Sequence, residues 1–172
     1  TPAFYSYKTA TSRSGEFGDV AKAISSQAAS ILKATGIREG YCLAYGLENG
    51  NLVEALARQS DLRIIAIDPD PAKVEKLRKR FDAAGLYGKR LSIQVGDAFN
   101  FEAPPYLASL TVFENLEAVQ NGLPFAKRSD EFFRKTYHNM RPYGGVACLP
   151  VRRDEISDVE RKIQEIELPK AQ

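Results

Sequence analysis

The sequence of 172 residues predicts an α/β domain in which helices cover both faces of a mostly parallel sheet of about five strands. Short apolar segments alternate along the chain with segments of helical periodicity, and this alternation is typical of parallel sheets with right-handed connections. The first of these strands, residues 41–45, is an unbroken apolar run, as expected for a strand that helices cover on both faces. Together these observations indicate a three-layer αβα sandwich.

The remaining elements follow in order along the chain. Residues 1–15 are polar and are predicted to form a flexible N-terminal arm, and residues 16–172 a single domain. Apolar residues at helical spacing from Phe17 to Ile31 predict a helix that Gly36 ends. The five predicted strands are residues 41–45, 62–67, 91–95, 107–113 and 146–149.

Local signals mark where the later helices begin and end. Asp70 is a good N-cap with Pro71 as the first helical residue, and Gly85 closes that helix. Ser129 is predicted to cap a helix that runs through Met140. Apolar residues in the range 156–166 predict a last amphipathic helix. The range 99–106 is predicted to be a loop that contains prolines, and 121–124 a turn.

Composition excludes several classes of protein. With 24 basic and 22 acidic residues, the chain has no electrostatic footprint for nucleic acid. Cys42 and Cys148 fall in predicted buried strands, so they are read as core residues and not as a disulfide framework. No apolar run is long enough to span a bilayer and no signal peptide opens the chain, which predicts a cytoplasmic protein without membrane contact. Because the chain starts without methionine, it is also read as a possible domain of a longer protein.

The range 41–68 carries the strongest functional signal. It combines a strand, a glycine turn at Gly46 and Gly50, a helix, and a second strand that ends in Asp68. Such a unit places the helix N-terminus and the strand-terminal carboxylate around one crevice, where adenosine-type ligands bind in doubly wound sheets. The sequence therefore predicts a small-molecule cofactor in this crevice.

Four motifs in this order resemble those of the Rossmann-like (class I) S-adenosylmethionine-dependent methyltransferases. They are the glycine loop 46–50, Asp68 after the second strand, Gly96-Asp97-Ala98 after the third, and the turn 141–145 before the fifth. The resemblance implies S-adenosyl-L-methionine as cofactor, with Asp68 accepting the ribose hydroxyls and Asp97 facing the adenine amino group. The cofactor-binding residues that it implies are Tyr45, Gly46, Leu47, Glu48, Gly50, Asp68, Pro69, Asp97 and Ala98. A second similarity is to methyltransferase-like domains within larger bacterial β-propeller proteins.

The chain departs from this family at two places. The loop has Ala44 where the family has an acid and Glu48 where it has the middle glycine. Glu48 either takes over the ammonium-binding duty of the missing acid or marks a loop whose binding has eroded. The family's C-terminal antiparallel hairpin is also absent, because one helix fills the 22 residues after Pro150. The hairpin either lies in a longer parent chain or is missing, which would leave an exposed sheet edge.

The methyl acceptor cannot be identified from a motif, because the cofactor's sulfonium is already activated and transfer needs mainly positioning. Glu114 and Asn115 follow the fourth strand and are the weak catalytic candidates; a solvated loop acid is the alternative for Glu114. No spacing of histidines, cysteines or carboxylates suggests a metal site. Two other functions stay open: a non-catalytic binding or scaffolding module, and a nicotinamide-dependent dehydrogenase, for whose Gly-x-Gly-x-x-Gly fingerprint only Gly46 is present.

Overall fold

The computed structural model of the protein describes residues 3–6, 17–116, 125–151, 154–166 and 168; for residues 6, 17–20 and 125–129 it describes the backbone alone. The described strands form one six-stranded sheet in the order β1-β6-β5-β2-β3-β4, and all of its pairings are parallel. The strands are β1 (Ala3–Ser6), β2 (Glu39–Tyr45), β3 (Asp61–Asp68), β4 (Leu91–Val95), β5 (Ala108–Phe113) and β6 (Val146–Leu149). The helices are α1 (Phe17–Thr35), α2 (Asn51–Gln59), α3 (Pro71–Ala83), α4 (Phe125–Asn139) and α5 (Ile156–Glu165).

The predicted α/β architecture is confirmed, and the five predicted strands are β2 to β6. The chain first builds outward from β2 through β3 to β4, then crosses back to place β5 on the other side of β2. This reversal leaves a crevice beyond the carboxyl ends of β2 and β5, which is where open α/β sheets bind ligands. The connection between β4 and β5 contains no helix, as predicted.

The predicted flexible arm is wrong for Ala3–Ser6, which form the edge strand β1. This strand pairs in parallel with β6, and Ala3 N donates to Gly145 O at 2.8 Å. Phe4 packs edge-on against Phe133 of α4, with ring centroids 5.2 Å apart. Four residues are too few to show the periodicity of a strand. The polar residues that follow them in the sequence led to the prediction of an arm. The other residues of the predicted arm up to residue 15 lie outside the described residues.

The strand β1 also pairs with the edge of the sheet at β6. The edge of β6 that was expected to be exposed for lack of an antiparallel hairpin is paired with β1. One strand from the start of the chain therefore covers backbone groups that would otherwise stay open to pairing with a partner.

The start of α4 also differs from its prediction. The helix begins at Phe125, so Ser129 lies within it and does not cap it. The turn predicted for 121–124 lies outside the described residues. By contrast, α3 begins as predicted: the Asp70 carboxylate accepts hydrogen bonds from the amides of Ala72 and Lys73 at 2.9 and 3.3 Å, with Pro71 as the first helical residue.

Two apolar clusters lie on opposite faces of the sheet. Helices α1, α2 and α3 bury one face together with Cys42 and Cys148, which are free thiols in the core as predicted. Helices α4 and α5 cover the other face, where Tyr45 and Phe113 stack with ring centroids 5.4 Å apart. Both sheet faces are thus closed by apolar contacts, which fixes the strand ends that form the crevice. Within the described ranges, no helix has the length and apolarity to cross a bilayer.

We expect Phe4→Ala to lower the free energy of unfolding by about 1–2 kcal/mol, because it removes a half-buried ring from the contact with α4. Tyr5→Ala is the matched control: this neighbouring ring is 44% exposed, so its loss should change stability by less than about 0.5 kcal/mol. Urea denaturation of both variants measures the difference. Equal effects would mean that β1 is not docked through Phe4.

Candidate functional site

The crevice is bounded by backbone hydrogen bonds that hold the strand ends together. Gly46 N donates to Ile67 O at 3.0 Å, which ties the turn after β2 to β3. Glu114 N donates to Tyr45 O at 3.0 Å, which ties the end of β5 to β2. The glycine loop is therefore anchored on both sides at its first residue.

The second loop glycine is required by both backbone and packing. Gly50 lies in the left-handed region at φ +71°, and it is the N-cap of α2. A Cβ at this position would lie 3.0 Å from side-chain atoms of Leu77 and Phe81 in α3. Glycine thus allows α2 to begin directly against α3, which fixes the direction in which the loop amides point.

Arg80 of α3 holds the outer side of the loop. Its guanidinium donates to Asn49 O at 2.7 Å and to Asn51 Oδ1 at 2.8 Å, and it also contacts the carboxylate of Glu54. Asn49 Oδ1 in turn accepts from Asn51 N at 3.1 Å. The loop is therefore braced by charge-assisted contacts even though it lacks the middle glycine.

Glu114 supplies a buried carboxylate to the inner side of the same loop. Oε2 accepts from Glu48 N at 3.1 Å and Oε1 from Val53 N, in the first turn of α2, at 3.3 Å. Burial raises the pKa of Glu114 to about 7; the two amides oppose this shift, and the negative charges of Glu48 and Asp68 add to it. The alternative of a solvated loop acid is wrong, because Glu114 is only 7% exposed.

Asp68 and the loop meet at one ammonium group. The carboxylate of Asp68 is 0% exposed; its Oδ1 accepts from Asp70 N at 3.0 Å and its Oδ2 from Lys73 Nζ at 2.9 Å. The same Nζ donates to Leu47 O at 2.7 Å. One nitrogen atom therefore bonds both the glycine loop and the strand-terminal acid, so these two predicted site elements converge on a single point.

The other predicted loop residues contribute in different ways. The side chain of Glu48 is exposed at the loop. The side chain of Leu47 is buried in the core, so only its backbone faces the crevice. The ring of Tyr45 is buried against Phe113, and burial raises its pKa above the ordinary value, so its side chain does not line the loop.

The carboxylate of Asp97 is turned toward its own loop. Oδ1 accepts from Phe99 N at 2.7 Å and Asn100 N at 2.8 Å, and Oδ2 from Asn100 Nδ2 at 2.7 Å. Asp97 is 7% exposed and the neighbouring Ala98 is also buried. The side chain thus shapes the turn after β4 and is not free to face the crevice without losing these bonds.

The remaining predicted positions are Pro69, which is half-buried just after β3, and Asn115, half-buried just after Glu114. Ala44, where the family has an acid, is fully buried in the core cluster beneath α2. Lys73 and Arg80 are not among the residues predicted from the sequence. Lys73 was detectable in principle, because side chains in the first turn of a helix lean toward its N-terminus and Asp68 lies there.

Comparisons with known proteins agree with this architecture. No protein-family model matches the chain. A curated relative from Methanosarcina mazei, named "Probable ribosomal RNA small subunit methyltransferase A", is 32% identical over 99 residues. The match covers 58% of this chain and 31% of the relative, so the chain spans about a third of that protein.

Solved structures of S-adenosylmethionine-dependent methyltransferases share the fold. One from Aquifex aeolicus has a TM-score of 0.63 at 14% identity, over 81% of this chain and 78% of its own. One from Geobacter sulfurreducens, crystallised with S-adenosyl-L-homocysteine, has a TM-score of 0.55 at 16% identity, over 71% and 46%. At these identities the likeness shows a Rossmann-like fold. The similarity to domains of β-propeller proteins finds no support.

We expect Glu114→Gln to remove a pH-dependent part of the stability. A carboxyl with a pKa of about 7 when folded and an ordinary value of 4.5 when unfolded stabilises the fold fully below pH 4.5, and this stabilisation is lost as pH rises through 7. The loss in the wild type amounts to at most about 3 kcal/mol.

Urea denaturation at pH 4.5 and pH 8 measures this difference. The wild type should lose more stability between these values than Glu114→Gln does. Glu102→Gln, which removes an exposed carboxylate that is not among the charges acting on Glu114, is the control and should behave as the wild type. Parallel pH curves for the wild type and Glu114→Gln would contradict the buried, proton-binding state of Glu114.

Proposed function

We propose that the protein binds S-adenosyl-L-methionine in the crevice between β2, β3 and β5 and transfers its methyl group to an acceptor. The observation that carries the proposal is the convergence at Lys73 Nζ, which bonds both Leu47 O and Asp68 Oδ2. A strand-terminal acid and a glycine loop that meet at one point are the arrangement that binds the ribose of an adenosyl ligand. The methyltransferase structures of the same fold support this choice of ligand.

The charges of the crevice favour a cationic ligand. The charges of Glu48 and Asp68 both act on Glu114. In the described part of the chain, the cation bonded to a carboxylate of this group is Lys73, at Asp68. S-adenosylmethionine carries a sulfonium and an ammonium group, so its positive charges meet these carboxylates. The carboxylate of its methionine part needs a hydrogen-bond donor, and we assign this role to a backbone amide of the loop.

Six of the nine predicted cofactor-binding residues have a direct role in this proposal. Asp68 accepts the ribose hydroxyls, and the exposed carboxylate of Glu48 holds the ammonium group. The backbone of the loop at Gly46 approaches the methionine part. Because the Asp97 carboxylate is occupied, we assign adenine binding to the backbone of Asp97 and Ala98 and to contact with Pro69.

Methyl transfer then depends on placement more than on a catalytic group. S-adenosylmethionine would supply a methyl group that its sulfonium already activates, with S-adenosylhomocysteine as the leaving group, so the protein would not need to supply a nucleophile. Glu114 is committed to two loop amides and is assigned to holding the loop. Asn115, the next residue, stays the candidate for orienting an acceptor.

The cytoplasmic location and membership of a longer parent chain stay predictions.

The contacts of Glu114 disfavour a dehydrogenase, whereas a non-catalytic module is compatible with the fold. A nicotinamide dinucleotide would place its pyrophosphate at the N-terminus of α2, where the carboxylate of Glu114 already accepts from Val53 N. A second anion there would be repelled, which disfavours a dehydrogenase. A non-catalytic module remains compatible with the same fold, since fold alone does not determine activity. Direct binding measurements separate it from the proposal.

We expect isothermal calorimetry to detect binding of S-adenosylhomocysteine by the wild type. Asp68→Ala should weaken binding at least about tenfold, because charged hydrogen bonds contribute roughly 1.5–3 kcal/mol each. Asp61→Ala is the matched control, since that aspartate is 95% exposed at the opposite end of the same strand. Glu48→Gln should also weaken binding; unchanged affinity would remove its assigned role alone.

A wild-type protein that gives no heat with millimolar S-adenosylhomocysteine would contradict the proposal and favour the scaffolding module. Thermal denaturation offers a second readout, because a ligand at 100 times its dissociation constant stabilises the fold by about 2.7 kcal/mol.

RNA is a specific candidate for the acceptor, because the curated relative is named as a ribosomal RNA methyltransferase. This candidate differs from the sequence prediction, in which no nucleic-acid partner was indicated. If it is correct, incubation with S-adenosylmethionine that carries a radioactive methyl group should label small-subunit ribosomal RNA, and Asp68→Ala should abolish the label. Label in small molecules or protein with none in RNA would exclude RNA as the acceptor.

A further inference from the structure

Lys73 lies in the proposed cofactor site, where its ammonium group contacts both the glycine loop and Asp68. It is the third residue of α3, and the Asp70 carboxylate fixes this first turn by accepting from the Lys73 amide. From there the side chain reaches back so that Nζ bonds Asp68 Oδ2 and Leu47 O at 2.9 and 2.7 Å. The lysine side chain is 29% exposed, whereas that of Asp68 is 0% exposed.

These exposures mean that Lys73 covers the acid that a ribose must reach. Asp68 is enclosed by the strand, by the amide of Asp70 and by the ammonium of Lys73. The strand and the amide are fixed backbone. The lysine side chain is flexible and already partly in solvent, so it is the part of this enclosure that can leave.

The two acceptors bonded by Lys73 also match what a ligand would offer. Asp68 Oδ2 needs a hydrogen-bond donor such as a ribose hydroxyl, and Leu47 O needs a second donor from the same ligand. The ammonium of Lys73 serves both in the free protein. It therefore acts as a tethered substitute for donors that the cofactor brings.

We infer that Lys73 sets the affinity for the cofactor: its ammonium holds Asp68 and Leu47 in the free protein and must swing out for the ribose to bind. This inference rests on the proposed function and adds a competitor within the chain. Replacing the lysine by an apolar residue leaves Asp68 as a buried carboxylate without its cation, which destabilises the free protein. A ligand that donates to Asp68 restores a partner, so binding becomes tighter.

The test compares the wild type with Lys73→Met, which keeps an unbranched, helix-compatible side chain and removes the charge. We expect Lys73→Met to have a lower melting temperature without ligand and to bind S-adenosylhomocysteine at least about tenfold more tightly by calorimetry. Lys76→Met is the matched control, because Lys76 is exposed on the same helix. Its affinity should equal that of the wild type.

Equal or weaker binding by Lys73→Met would overturn the inference, since it would mean that the lysine is a bystander or contacts the ligand itself. If the wild type binds and Lys73→Met does not tighten, only this inference fails. If neither protein binds S-adenosylhomocysteine, the proposed function fails with it. A merely structural lysine would lower the melting temperature without changing affinity in this direction.

A second measurement needs no variant and keeps the test valid if Lys73→Met does not fold. Wild-type protein is treated briefly with acetic anhydride, with and without saturating S-adenosylhomocysteine, and acetylation of each lysine is quantified by mass spectrometry. We expect the ligand to increase acetylation at Lys73 severalfold, because the displaced amine enters solvent, and to leave Lys76 unchanged. Unchanged or reduced acetylation at Lys73 would contradict its release.

Discussion

The loop that defines the crevice depends on one buried carboxylate. Amide groups that are shielded from water must be given acceptors, and Glu114 provides them for Glu48 N and Val53 N from the neighbouring strand β5. Its position is fixed in turn by the bond from its own amide to Tyr45 O. The loop, the start of α2 and the end of β5 are therefore one hydrogen-bonded unit, and ionisation of Glu114 acts on all three.

This unit explains how the loop keeps its shape despite the departures from the family pattern. Ala44 stands where the family has an acid that helps to hold the ligand's ammonium group, a duty that we assign to Glu48; the loop itself is held by the carboxylate of Glu114. Glutamate replaces the glycine expected at position 48; its amide is held by Glu114 and its side chain is exposed. Arg80 adds the outer brace at Asn49. The substitutions therefore relocate the supporting contacts and leave the crevice defined.

The fold was largely predictable because its signals are repetitive. Each of the strands β2 to β6 is a short apolar run, and caps such as Asp70 with Pro71 act locally. The strand β1 was not predictable, since its four residues gain their strand structure from pairing with β6. The approach of Asp68 to the glycine loop was predictable, because both follow from strand order. The contacts that hold the site together were not predictable, because they join residues far apart in the chain. Glu114 and Glu48 are 66 positions apart, and Lys73 and Leu47 are 26 positions apart.

The pairing of β1 with β6 has a consequence for the order of assembly. Ala3–Ser6 are among the first residues of the sequence, and their partners Val146–Leu149 lie near its other end. The edge strand therefore cannot dock until the whole sheet-forming region has been synthesised, and closing so long a loop is entropically slow. Once β6 has been made and until β1 docks, β6 presents an unpaired edge, so the docking of β1 shields that strand from neighbouring chains.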